Sequence, residues 1–120
     1  MIENVVLSFS VDKALLAQRE VHLRSGGFQV ISTSSPICAR YEIEMGQCGA
    51  LLLCYTVHEL AHRDLAGLFA RHCAHGVIVF VMHPVQVAPS PHAHICLLDV
   101  DLPGKLHLIK RAFRANERSA

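Results

Sequence analysis

The sequence predicts an α/β fold, a single doubly wound sheet of five parallel strands with helices on both faces. Two apolar runs carry the prediction. Ala50-Leu51-Leu52-Leu53-Cys54 and Val77 to Met82 are each too short for a helix core, and short continuous apolar segments mark strands buried on both faces. The third observation is alternation. Helix-length segments with punctuated ends separate the strand-like runs, which implies right-handed crossovers between parallel strands.

Val5 to Phe9 is the first short apolar strand, and Asp12 is a good N-cap for a helix over about 13–25. Gly26-Gly27 supplies a left-handed stop. On that helix Leu15, Leu16 and Leu23 share one face, with Arg19 in its middle. The expectation for Arg19 is a stem along the edge of the core with its guanidinium in water; a paired role inside a site is the alternative. Phe28 to Thr33 alternates and is β-branched, which reads as the second strand. Ser34 or Ser35 with Pro36 opens a helix over about 36–45, which stops near Gly46.

After the third strand, Ala50 to Cys54, comes a helix over about 58–74. Its Ala61, Leu65, Leu68, Phe69 and His72 form one stripe, opposite Glu59, Arg63 and Arg71. Gly76 ends it, and Val77 to Met82 is the fourth strand. The segment from 83 to 93 holds Pro84, Pro89 and Pro91 and reads as a loop with at most one helical turn, so a helix here is short or absent. A fifth strand follows at about 94–98. Leu102-Pro103 opens the last helix, lined on one side by Leu102, Leu106, Ile109 and Phe113. The domain is expected over about 1–116, with 117–120 as a frayed tail.

With 120 residues, 52% of them apolar and 18% charged, the chain is long enough for a core and too apolar for disorder. A net charge of +1 argues against an electrostatic nucleic-acid binder. The longest apolar run is far below the roughly 20 residues that span a bilayer. Met1-Ile2-Glu3-Asn4 lacks a basic n-region, so no signal peptide is expected. Five cysteines at irregular spacing then read as reduced, cytoplasmic thiols.

Ser10-Val11-Asp12 after the first strand, Gly27-Phe28-Gln29-Val30, Leu51-Leu52-Leu53-Cys54, Val77-Ile78-Val79-Phe80 and the terminal helix from Leu106 to Phe113 together resemble the receiver domain of bacterial response regulators. The resemblance covers essentially the whole chain. It implies a flavodoxin-like sheet of order 2-1-3-4-5, with the first and last helices on one face. It also implies a site. Receivers phosphorylate an aspartate ending the third strand, bind Mg²⁺ through an acidic pair after the first, and contact the phosphoryl group with a hydroxyl on the fourth and a lysine on the fifth. Matched residue by residue, Cys54 falls at the acceptor, Ser10 and Val11 at the acidic pair, Val81 at the hydroxyl and Leu98 at the lysine. All five depart from the pattern. Mg²⁺ requires oxygen ligands such as carboxylates; Asp12 is nearby, but its carboxylate is expected at the helix cap. The resemblance therefore implies a pseudo-receiver, non-enzymatic, with no metal or cofactor. Its degenerate pocket is expected to be small, apolar and uncharged.

Three other patterns carry chemistry. His58-Glu59-Leu60-Ala61-His62 has the letters of a zinc metalloprotease helix, but such enzymes need a third ligand, a helix embedded in a cleft and usually a longer chain, and coincidence is the reading. His72-Cys73 with His75, and His92 with His94, lack the paired Cys-x-x-Cys spacing of a structural zinc site. Cys54 could be a reactive thiol beside His58 and a helix N-terminus, against the plainer reading of a small buried hydrophobe. The expected function is protein–protein contact with another signalling protein in a phosphorelay-related pathway, with a homodimer as a further option and no nucleic acid or membrane involved. A thiol- or metal-based sensor using Cys54 and the histidines is the rival; a small α/β enzyme is a weaker one.

Overall fold

In the computed structural model, which describes residues 4–83, 85 and 91–119, the strand-like runs form one sheet. The strands are β1 (Val5–Phe9), β2 (Gln29–Thr33), β3 (Ala50–Cys54), β4 (Val77–Met82) and β5 (Ile95–Leu98). All pair in parallel, in the order β2-β1-β3-β4-β5. Every residue of β1 and β3 is buried, which is what an uninterrupted apolar run requires of a central strand.

Four helices cover the two faces: α1 (Lys13–Ser25), α2 (Pro36–Met45), α3 (Glu59–His72) and α4 (Leu106–Ser119). Leu23 of α1 and Ile109 and Phe113 of α4 pack with Val6, Leu52, Val77 and Val79 on one side. On the other, Ala39 and Ile43 of α2 and Leu65 and Phe69 of α3 pack with Leu7, Leu51, Leu53 and Ile78. The fold is thus the expected flavodoxin-like α/β sandwich. Among the described residues no helix is long and apolar enough to cross a membrane.

The helix ends follow the local chemistry. Asp12 Oδ1 accepts from the backbone N–H groups of Ala14 and Leu15 at 2.9 and 3.2 Å, so this carboxylate is a cap, as its position in the sequence suggests. Ser35 caps α2 through the Cys38 N–H, and Gly46 closes that helix with φ of 67°. Gly76 has a steric role. A Cβ there would stand 2.5 Å from the Phe69 ring and 3.1 Å from the Cys73 carbonyl. Both neighbours are buried, so Gly76→Ala should cost about 1–3 kcal/mol through overpacking. Urea unfolding of the variant checks this; an unchanged midpoint would show that the Phe69 ring can give way.

Three expectations are corrected. The inward stripe of α3 runs through His62, Leu65, Ala66, Leu68 and Phe69, while His72 is exposed. A buried imidazole thus takes the place given to His72, because the ring of His62 packs edge-on to Phe80 with centroids 4.9 Å apart. The last helix begins at Leu106, after a 3-10 turn at Asp99–Asp101, and continues to Ser119 through the stretch expected as a tail. Leu102 is still buried with Ile109 and Phe113, so it lies on the expected apolar side although the helix starts only at Leu106. Of the expected loop at 83–93, residues 83, 85 and 91–93 are non-helical, and the remainder lies outside the described residues.

Candidate functional site

The carboxyl ends of the strands are where an open α/β sheet presents its chemistry. Here the centre of that rim is a buried cation. Arg19 projects from the middle of α1, between Leu16 and Leu23, and is 1% exposed. Its Nη2 donates to Asp99 Oδ1 at 3.0 Å, and its Cζ lies 5.8 Å from the centre of the Tyr55 ring. The expectation of a solvated guanidinium is overturned. α1 crosses the sheet close enough that the side chain reaches down to the end of β5, and a guanidinium there needs a carboxylate. Asp99 provides it, with its side chain 26% exposed.

Cys54 is the second member. Its thiol is buried at the end of β3 and receives the Thr56 N–H at 3.5 Å. Burial is the largest single influence on this thiol and pushes its pKa up. Hydrogen bonds from Arg19, Thr56 and Ser10 together outweigh it and hold the thiol below its ordinary value. Tyr55, next in the chain, is pushed the other way, by burial first and then by Asp99 and Cys54.

Ser10 completes the rim. Its hydroxyl accepts from the Asp12 N–H at 3.1 Å and lies 3.1 Å from the Thr56 hydroxyl, which ties the turn after β1 to the turn after β3. Two buried polar atoms nearby in the fold have no hydrogen-bond partner: Arg19 Nε on α1 and the Ser8 hydroxyl on β1.

The expected pocket was Ser10, Val11, Asp12, Cys54, Val81 and Leu98. Ser10, Cys54 and Val81 are buried at the strand ends. Val11 is 56% exposed, because the chain bends outward after Phe9. Asp12 caps α1. Leu98 pairs with Met82 and Leu97 with Val81, so the polar group reaching Arg19 from this strand end is Asp99, one residue beyond the predicted position. The expectation of an uncharged pocket is therefore corrected: it holds an ion pair. The sequence contained a signal for it, an arginine centred on an apolar helix stripe, which obliges some acid to lie near.

His62 and His92 lie near each other, their ring centroids 6.2 Å apart, while other histidines serve the backbone. His58 Nδ1 accepts from the Leu60 N–H at 3.2 Å and so caps α3, whereas His62 is buried against Phe80. His94 Nδ1 accepts from the Ile78 N–H at 2.9 Å. Burial, and secondarily His92, lowers the pKa of His62. Burial pushes Cys48 up to about 12 and also raises Cys73, the marks of inert thiols. Among the described residues no group of three His, Cys, Asp or Glu side chains is placed to hold a metal ion.

No protein-family model matches the sequence, and no curated protein matches it either. Solved structures do match in fold. A response regulator receiver domain protein from Methanospirillum hungatei superposes with a TM-score of 0.80 at 15% identity, over 99% of this chain and 100% of that one. The receiver domain of a sensor histidine kinase from Pseudomonas aeruginosa, with magnesium coordinated in its active-site cleft, gives 0.76 at 14% identity over 93% and 98%. A response regulator from Thermotoga maritima in complex with Mg²⁺ and beryllofluoride gives 0.73 at 12% identity over 91% and 98%. The chain has the receiver fold.

Proposed function

We propose that this chain is a receiver-like signalling domain, of the kind used in bacterial two-component pathways, that works by protein–protein contact and without aspartyl phosphorylation. One observation carries the reading: Arg19 and Asp99, an ion pair 3.0 Å apart, occupy the strand-end rim. Phosphoryl transfer in such a fold needs a nucleophilic oxygen and a cation held by carboxylates. At this rim the β3 end offers a thiol, and the fixed cation is a guanidinium that repels Mg²⁺. Of the two nearby carboxylates, Asp12 caps a helix and Asp99 is bound to Arg19. The charge pattern is inverted relative to the receivers it resembles, with the permanent cation arriving from α1 and the acid ending β5.

An ion pair built into the rim also removes the usual reason to switch. A ligand shifts an equilibrium only by its differential affinity for two states. Without a phosphoryl group the domain presents one conformation, and its signalling depends on partner binding or abundance. Incubation with acetyl phosphate or beryllofluoride and Mg²⁺, followed by intact mass and spectroscopic titration, tests this. The expected result is no Mg²⁺-dependent change, and none in Cys54→Asp either, since the metal ligands stay absent. A saturable, Mg²⁺-dependent gain of one phosphoryl group would overturn the proposal.

A second reading has one observation in its favour. The Cys54 thiol lies beside Arg19 and is acidified despite its burial. This favours a thiol-based sensor over a metal-based one, because His58 and His94 already accept backbone hydrogen bonds.

A further inference from the structure

Beyond that reading, the outward face of α2 carries an unusual surface. Ala39 and Ile43 point into the core, both fully buried. Opposite them, Ile37 is 80% exposed, Tyr41 60% and Met45 52%. At about 100° per residue, positions 37, 41 and 45 form a continuous stripe with Tyr41 at its centre. A ten-residue helix with a solvated apolar stripe and a separate buried face has two packing surfaces and fills one.

The charges beside the stripe identify the occupant. Arg40 and Glu44 are exposed on one flank of it, and neither has an ion-pair partner among the described residues. Within the helix their order is basic then acidic, the weaker orientation for a pair four residues apart. Across a twofold axis through Tyr41 the same flank of two antiparallel copies comes together. Tyr41 then meets Tyr41, and Ile37 meets Met45, both about 6 Å along the axis from the centre at about 1.5 Å per residue. Arg40 of each copy falls within about 3 Å axially of Glu44 of the other. The stripe and its charges are complementary to themselves, as an isologous interface requires.

We propose that α2 is a homodimerisation surface, pairing antiparallel with α2 of a second copy. A ten-residue helix is about 15 Å long and about 10 Å across, so one face offers on the order of 150–300 Å², well short of the roughly 800 Å² per partner of standard interfaces. The dimer is therefore weak and reversible, suited to forming when local concentration rises.

Sedimentation velocity over about 10 μM to 1 mM, with a dissociation constant expected on the order of 100 μM, tests it. Arg40→Glu should weaken association by about tenfold or more, and Arg40→Glu with Glu44→Arg should restore it. Geometry is tested by disulfide trapping in a Cys38→Ser background, which removes the exposed native thiol. Tyr41→Cys should cross-link about tenfold faster than Ile37→Cys or Met45→Cys alone, whereas the last two mixed together should cross-link with each other. Because these side chains are exposed, the variants are expected to fold, and circular dichroism melts verify it. A monomer throughout the range, a dimer indifferent to Arg40→Glu, or equal trapping at all three positions would overturn the proposal. A monomer would leave the stripe to a different protein.

Discussion

Asp99→Ala should lower the stability of this domain by about 3–5 kcal/mol, the usual result of removing one partner of a buried ion pair. The number follows from what is left behind. Arg19 is 1% exposed and its Nε already lacks a partner. Without Asp99 its nearest polar and aromatic company is the Cys54 thiol and the Tyr55 ring. Neither replaces a carboxylate. The reverse truncation, Arg19→Met, should cost less, because Asp99 is 26% exposed and can be rehydrated once alone. A thioether chain also fills much of the volume the arginine stem occupied. Arg19→Met with Asp99→Leu should recover most of the loss, since an apolar pair of similar size often equals or exceeds a buried ion pair. Urea unfolding of the wild type, Arg19→Met, Asp99→Leu and the double variant gives the coupling energy directly. Additive losses would mean that the pair contributes nothing as a pair.

The strand-end rim was the least legible part of the sequence, and particular residues show why. The strands were legible because β1, β3 and β4 are buried over nearly their whole length, and their order is what the resemblance to receivers implies. Runs of that kind have one structural explanation. Helix α2 matched at both ends because Pro36 and Gly46 each act through their own backbone, without help from the rest of the fold. Arg19 was located correctly on its stripe, yet periodicity gives a position on a helix and not the direction of a long flexible side chain. Its partner Asp99 lies 80 residues away, so no local pattern joins them. Val11 failed for a related reason. Alignment placed it at a site position, but the backbone bends after Phe9 and sends the side chain into water. At α3 the choice between His62 and His72 turned on a small change of phase, because histidine is apolar enough to be buried and polar enough to be exposed.

The stability of the wild-type domain should rise as pH approaches 9, and the rise should vanish in Cys54→Ser. In the folded protein the Cys54 thiol is held below its ordinary value, while in the unfolded chain it returns to about 8.5. A depressed folded value gives stability that is fully present above the unfolded pKa. It is lost as pH falls through the folded value, so the slope is positive between the two. Cys48 and Cys73 are raised by burial and oppose this at higher pH, which is why the comparison is with Cys54→Ser in the same background. Arg19→Met removes the leading hydrogen bond to the thiol and leaves burial opposed by Thr56 and Ser10 alone. The thiol then moves up from its wild-type value, and the rise in stability with pH shrinks. At neutral pH the same substitution should slow oxidation of Cys54 by hydrogen peroxide on the order of tenfold, because the thiolate is the reactive form. Asp99→Asn should act in the opposite direction, since Arg19 would then face the thiolate with no competing carboxylate. Thiolate ultraviolet absorbance reads the titration without needing access to the buried sulfur. If Arg19→Met leaves that titration where it was, the arginine serves Asp99 alone and the thiol-sensor reading fails with it.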